Sequence, residues 1–266
     1  MSKSKTGQVT RSAAEVYEEF FVPALFQEWA SRVADAAQIS PGQHILDVAC
    51  GTGVLAREVA ERVGESGSVA GLDLNEGMLA VAKHKAPKIE WRQGRAETLP
   101  FDSNSFDAVV CQFGLMFFEN RCAAIEEMVR VLRHGGHLAV AVWDSLENTP
   151  GYAAITGLLE RLFGDEVADA MQAPFVLGDI QILQSLFADA GVADVQIATR
   201  EGTARFPSIS SWIYTDVRGW TLADTIDDAQ YQLLLQEAEK ELQQFVTPEG
   251  TVAFRLPAHI VTATKA

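Results

Sequence analysis

The sequence predicts an α/β protein built on a doubly wound, mostly parallel sheet of seven strands. Three observations carry that prediction. Between His44 and Trp143, apolar strand-like runs alternate with amphipathic helical runs, the pattern of successive βαβ units. The strand runs "SFDAVVC" and "GGHLAVAVW" are continuously apolar, as suits strands covered on both faces. Gly, Pro, Asn and Asp punctuate the joints between runs.

Residues 12–38 read as two N-terminal helices, with Pro23 breaking the pattern and starting the second. "SPGQ" (Ser40–Gln43) is a turn. Strand "HILDVA" is followed by helix "VLAREVAERV", strand "GSVAGLDL" by helix "EGMLAVAKHK". "KIEWRQ" is a short strand, "SFDAVVC" a buried one, "CAAIEEMVRVLR" a helix and "GGHLAVAVW" the fifth strand. Beyond Trp143 the alternation loosens. "YAAITGLLERLF" and "DIQILQSLFADAG" are helical, "VADVQIATREGTARF" is strand, "SISSWIYTDVRGW" and "DDAQYQLLLQEAEKELQQFV" are helical, and "HIVTATKA" is the last strand. The expected organisation is one domain over 1–266. Its core spans 43–206 and 251–266, and a helical cap is inserted at about 207–246, before the last strand.

The chain has 266 residues, 48% of them hydrophobic, and a formal net charge of −15. That is enough to bury one good core. The sequence pI of about 4.7 argues against a nucleic-acid partner. The densest basic cluster, "KHKAPK" (Lys83–Lys88), falls at a predicted helix end, where cations complement the dipole. No apolar run approaches a membrane span, and the N-terminus lacks the apolar run of a signal peptide. Cys50, Cys111 and Cys122 form no C-x-x-C pair, which fits a reducing cytoplasm. A cytoplasmic protein with a small-molecule partner is therefore expected, with oligomerisation left open.

The stretch "HILDVACGTGVLA" (His44–Ala56) carries the chemistry. Gly51, Gly53 and Ala56 fit G-x-G-x-x-(G/A) between a strand and a helix, and Asp73 ends the next strand 20 residues after Gly53. This is the Rossmann-type nucleotide fingerprint, in which the acid accepts from both ribose hydroxyls. Asp47, at the end of the first strand, would repel a pyrophosphate. A nucleoside bearing a sulfonium and an ammonium, S-adenosylmethionine (SAM), suits that carboxylate better than NAD does.

Five ordered segments then resemble one family: "ILDVACGTG" (45–53), "GLDLNEGML" (71–79), "AETLPF" (96–101), "SFDAVVCQFGL" (105–115) and "EMVRVLRHGGHLAV" (127–140). The chain is similar to class I SAM-dependent methyltransferases, in the branch resembling the ubiquinone/menaquinone-biosynthesis enzymes. The resemblance implies that Gly51, Thr52 and Gly53 line the methionine end of SAM. It implies that Asp73 holds the ribose, that Leu74 and Met78 pack on sugar and adenine, and that Ala96 offers its N–H to the ring. Cys111 and Gln112 would lie near the methyl group, and Phe113 would face the acceptor. S-adenosylhomocysteine is then the product. At Arg95 the family usually has Asp or Asn. Arginine cannot accept from the adenine amine, so Arg95→Asp is expected to leave SAM binding unchanged or improve it.

Tyr17 is the candidate SAM-contacting hydroxyl on the N-terminal helices. Trp212, Tyr214 and Trp220 are candidates for an apolar acceptor pocket in the insertion. Methyl transfer is an in-line displacement that alignment can accelerate. No metal-ligand cluster is visible, and none of the five histidines is placed as a base. Asp144, after the fifth strand, reads as a solvated loop acid. Cys50 and Cys111 also raise a thiolate site for a metalloid, although small buried cysteines are ordinary core residues. Two rival functions remain. An NAD-dependent oxidoreductase would need a second glycine turn, absent after Trp143, and a non-catalytic SAM-binding protein would share every cofactor motif.

Overall fold

The computed structural model describes residues 11–218, 222 and 225–266. Its N-terminal helical stretch comprises α1 (Arg11–Val16), a π-wound segment (Tyr17–Phe26) and α2 (Gln27–Ala36). The expected break at Pro23 does not occur: Pro23 lies inside the π-wound segment, whose exit is marked by Gln27 N–H donating to Val22 O. The wider turn leaves room for a ring that an α-helix interior would push against the preceding turn.

The Rossmann-like core follows: β1 (His44–Val48), α3 (Val54–Val63), β2 (Ser68–Asp73), α4 (Glu76–Lys85), β3 (Glu90–Gln93), β4 (Phe106–Gln112), α5 (Arg121–Val131) and β5 (Leu132–Trp143). Helices α6 (Pro150–Phe163), α7 (Asp165–Gln172) and α8 (Ile180–Asp189) lead to β6 (Gln196–Arg200) and β7 (Thr203–Phe206). Then come α9 (Ile209–Arg218), α10 (Asp228–Glu241), β8 (Val252–Arg255) and β9 (Ala258–Thr264). The main sheet has seven strands in the order β3-β2-β1-β4-β5-β9-β6. It is parallel from β3 to β5, and β9 pairs antiparallel with both β5 and β6. Ile45, Leu46, Ala108, Val109, Val110 and Val140 are fully buried. Helices cover both faces of these strands, which is why their sequences do not alternate.

One expected strand needs correction. The run read as one strand, "VADVQIATREGTARF", is two strands in different sheets. β7 pairs antiparallel with β8 in a separate two-stranded sheet, so residues 203–206 and 252–255 are not part of the main sheet. The chain turns at Gly202, where a Cβ would strike the Trp29 ring and the Leu256 carbonyl. Helix α10 packs on both α6 and α9, so the cap also draws on residues before β6. Among the described residues, no helix is long and apolar enough to cross a membrane.

Candidate active site

Strand order reverses between β1 and β4, and a cleft with a cavity volume of about 170 Å³ opens at their carboxyl ends. Ligands bind at this point of an open α/β sheet because the connecting loops diverge there. The turn after β1 is tight: Ala49, Gly51 and Gly53 all adopt positive φ (56°, 55° and 84°). The glycines have different jobs. A Cβ on Gly51 would meet nothing within 4 Å and would point into open space, and Gly51 lines the cleft. A Cβ on Gly53 would fall inside the Trp91 ring, and Gly53 caps α3. Gly53 therefore serves the packing of β3 on the turn, and the cleft lining does not include it.

Asp73 closes this turn. Its Oδ2 accepts from Gly51 N–H and its Oδ1 from Asn75 N–H, both at 2.8 Å. Each oxygen keeps a lone pair for a further donor. Burial raises the Asp73 pKa, and the backbone N–H groups of Asn75, Gly51 and Leu74 oppose that rise. Asn75 caps α4 by accepting from Met78 N–H at 3.0 Å, which sets Met78 into the cleft wall beside Leu74 and Ala96.

Beneath the cleft lies a smaller recess lined by Tyr17, Asp47, Thr52 and Gln112. Asp47 is buried, and neither carboxylate oxygen has a hydrogen-bond partner among the described residues. Burial holds its pKa well above the usual carboxylate range. The nearby Ala56 N–H, outside hydrogen-bond geometry, pulls against that shift, and the charge of Asp73 adds to it. Thr52 Oγ1 and Gln112 Oε1 are also buried without partners among the described residues. Gln112 Nε2 is committed to the Phe26 carbonyl at 3.2 Å, which turns Oε1 away from it. Tyr17 lines both cavities. Its phenol is held protonated by burial and by the charges of Asp73 and Glu18, so it is a donor and not a base.

The opposite side of the cleft is aromatic. Phe113 takes a positive φ of 56° and stacks on Trp143 with ring centroids 3.6 Å apart and planes 9° apart. Phe26, Phe117 and Phe118 complete this wall. Trp143 was missed in the sequence, although its place at the carboxyl end of β5 could have flagged it. Phe117 and Phe118 follow a turn that carried no pattern.

Other candidates lie elsewhere. Trp212 is fully buried in a cluster with Phe206, Phe245 and Phe254, and does not line the cleft. Tyr214 is half-exposed and meets Phe20 edge-on. Trp220 lies outside the described residues. Cys111 is buried behind the wall, its thiol pushed up to about 12 by burial and by the charge of Asp47. Burial raises the Cys50 thiol likewise, so neither cysteine offers the thiolate a metalloid needs. Asp144 is buried and not solvated: its Oδ1 accepts from Ser145 N–H at 2.7 Å and Asn148 Nδ2 at 3.0 Å, 3.3 Å from His259 Nε2. No histidine lines either cavity.

Arg95 lies at the rim and is engaged. Its Nη2 donates to Glu119 Oε2 at 2.7 Å, and its Nε lies 3.4 Å from Glu97 Oε2. Glu97 Oε1 in turn accepts from Glu119 N–H at 3.1 Å. The expectation for Arg95→Asp is thereby reversed, because a third carboxylate would join Glu97 and Glu119. Arg95→Ala is expected to change SAM affinity by no more than about 1 kcal/mol, as for an exposed pair. Arg95→Asp is expected to weaken it further by like-charge repulsion, and titration calorimetry on both variants checks the order.

This lining fits a cationic nucleoside. Asp73 is held by backbone amides at the end of β2 on the cleft lining, Gly51 leaves a cradle that a Cβ would fill, and the buried Asp47 carboxylate lines the adjoining recess. The acids would repel a diphosphate. Comparison with known proteins agrees. The family described as "Methyltransferase domain" matches residues 45–136. A demethylmenaquinone methyltransferase of Staphylococcus epidermidis is 35% identical over 188 residues, covering 65% of this chain and 78% of that one. The ubiquinone/menaquinone biosynthesis C-methyltransferase of Stenotrophomonas maltophilia is 38% identical over 143 residues, 50% of this chain and 56% of that one. In fold, the phosphoethanolamine N-methyltransferase 2 of Haemonchus contortus, solved with S-adenosylhomocysteine, superposes with a TM-score of 0.62 at 18% identity, over 97% of this chain and 58% of that one. The chain belongs to the class I SAM-dependent methyltransferases, in the branch of the demethylmenaquinone and ubiquinone/menaquinone methyltransferases.

Proposed function

We propose that this methyltransferase acts on a flat, apolar aromatic acceptor of the quinol class, which it methylates at a ring carbon. The stacked Phe113–Trp143 pair carries the reading. With Phe26, Phe117 and Phe118 it gives the acceptor side a wall of rings, and such walls favour planar partners by offset stacking. The names of the bacterial relatives, enzymes for demethylmenaquinone and for C-methylation in quinone biosynthesis, support the same class.

SAM supplies a methyl group on a sulfonium, already activated for in-line displacement. The chain's own contribution is placement. Asp73 orients the ribose, Leu74, Met78 and Ala96 bound the adenine side, and Asp47, Thr52 and Gln112 receive the amino-acid end. Aromatic faces around the reacting centre exclude water and tolerate the positive charge as it leaves. Among the described residues the cleft presents no histidine, and its acids sit on the cofactor side or the rim. A ring carbon made electron-rich by a hydroxyl forms the new bond as the C–S bond breaks to S-adenosylhomocysteine, and the ring proton it replaces then passes to water.

The test is a turnover panel with SAM and reduced naphthoquinones, simple phenols and primary amines, read by product mass and by S-adenosylhomocysteine release. C-methylated quinol is expected. Methylation of amines with no quinol product would overturn the assignment.

A further inference from the structure

Lys85, the last residue of α4, has a partner that helix electrostatics does not require. Lys85 Nζ lies 2.7 Å from Glu18 Oε1, and the same oxygen accepts from Arg57 Nη2 at 3.0 Å. Glu18 sits on the π-wound segment with its side chain only 8% exposed, and its Oε2 is buried without a partner among the described residues. One carboxylate thus joins the N-terminal helix to α3 and to α4. Arg57 extends the connection, since its Nη1 donates to Thr52 O at 2.7 Å, inside the glycine turn.

Glu18 is the chain neighbour of Tyr17, which lines both cavities. A shift of this helix that broke the Glu18 contacts would carry Tyr17 with it. The ion pairs are largely buried on the Glu18 side, so salt screens them little.

We propose that Glu18 is a positioning residue for SAM: it latches the N-terminal helix over the cleft and, through Arg57, fixes the Thr52 carbonyl and the glycine turn. This rests on the reading that the cleft between Asp73 and Asp47 holds SAM. The latch must open for the nucleoside to exchange, so it sets how long SAM and S-adenosylhomocysteine stay bound.

Glu18→Gln keeps the length and removes the charge. SAM affinity is expected to fall about tenfold, as for loss of charge-assisted bonds, with the change carried by faster dissociation in stopped-flow measurements. KM for SAM should rise more than kcat falls. Lys85→Met, at the more exposed partner, should move affinity in the same direction, and the double variant should be no worse than Glu18→Gln alone. A purely architectural Glu18 would lower the melting temperature and leave SAM dissociation unchanged. Asp73→Ala in the same assay separates the two readings. If Asp73→Ala loses affinity while Glu18→Gln and Lys85→Met dissociate SAM at the wild-type rate, the latch is overturned. If Asp73→Ala also binds like wild type, the site falls and the latch with it. Should Glu18→Gln fail to fold, Lys85→Met alone decides, and wild-type dissociation in it overturns the latch.

Discussion

Asp73→Ala is expected to weaken SAM binding by about a hundredfold or more while the sheet stays folded. Two ribose hydroxyls donating to one carboxylate make two charge-assisted bonds, each contributing roughly 1.5–3 kcal/mol. Their joint loss corresponds to at least about two decades in affinity. A second effect adds to the first. Asp73 also anchors the Gly51 and Asn75 amides, so its removal frees the turn that shapes the cradle. Asp73→Asn separates the two, because an amide keeps one acceptor oxygen and loses the charge. It should fall between wild type and alanine. Titration calorimetry with SAM, alongside circular dichroism to certify the fold, checks the order. Wild-type affinity in a folded Asp73→Ala would remove Asp73 from the site.

The side of the cleft formed by β1, β2 and their turns was readable because its constraints are local in sequence. A strand, a glycine turn, a helix and an acid at the end of the next strand must follow at fixed spacing. Gly51, Asp73, Met78 and Ala96 accordingly line the cleft as a group. Even there the reading was coarse. Gly53 looked like a ligand glycine, yet what forbids a side chain is the Trp91 ring, supplied from β3. Nothing in the turn's own sequence announces Trp91. The aromatic wall of the cleft was less legible for the same reason. Trp143, Phe113 and Phe26 come from β5, the loop after β4 and the N-terminal helix, and only the folded sheet brings them together. Trp212 and Tyr214 had the right residue types in a helical insertion, and composition could not tell core from cleft. Arg95 read as a defect in adenine recognition because its partner Glu119 lies 24 positions away. Pro23 misled in another way: its local rule is sound for an α-turn, and the chain answers with a π-turn.

Asp216→Asn is expected to stabilise the protein at alkaline pH and to remove a stability loss that wild type suffers between about pH 4 and pH 8. Asp216 is fully buried on α9. The Tyr152 hydroxyl lies 3.4 Å from its Oδ1, and Oδ2 has no hydrogen-bond partner among the described residues. Burial pushes its pKa up to about 8, with the Trp212 indole and the Tyr152 hydroxyl pulling the other way. In the unfolded chain the same carboxyl titrates near ~3.9. Between those values the native state holds a proton that the unfolded state has released. Stability therefore falls as pH rises through this window and levels off above the folded pKa. A gap of about four units corresponds to roughly 5 kcal/mol at full ionisation, an upper figure because a strained site relaxes. The asparagine cannot ionise, but its NH₂ lacks an assured acceptor, which costs about 1–3 kcal/mol. The variant should thus be slightly less stable than wild type at pH 5 and more stable by about 2 kcal/mol at pH 8.5. Urea unfolding of both proteins at pH 5, 7 and 8.5 gives the difference profile, in which groups common to the two cancel. Crossing curves are the expected result. Parallel curves would mean that Asp216 keeps its ordinary carboxylate titration in the fold, with a water or a cation reaching it between α6 and α9.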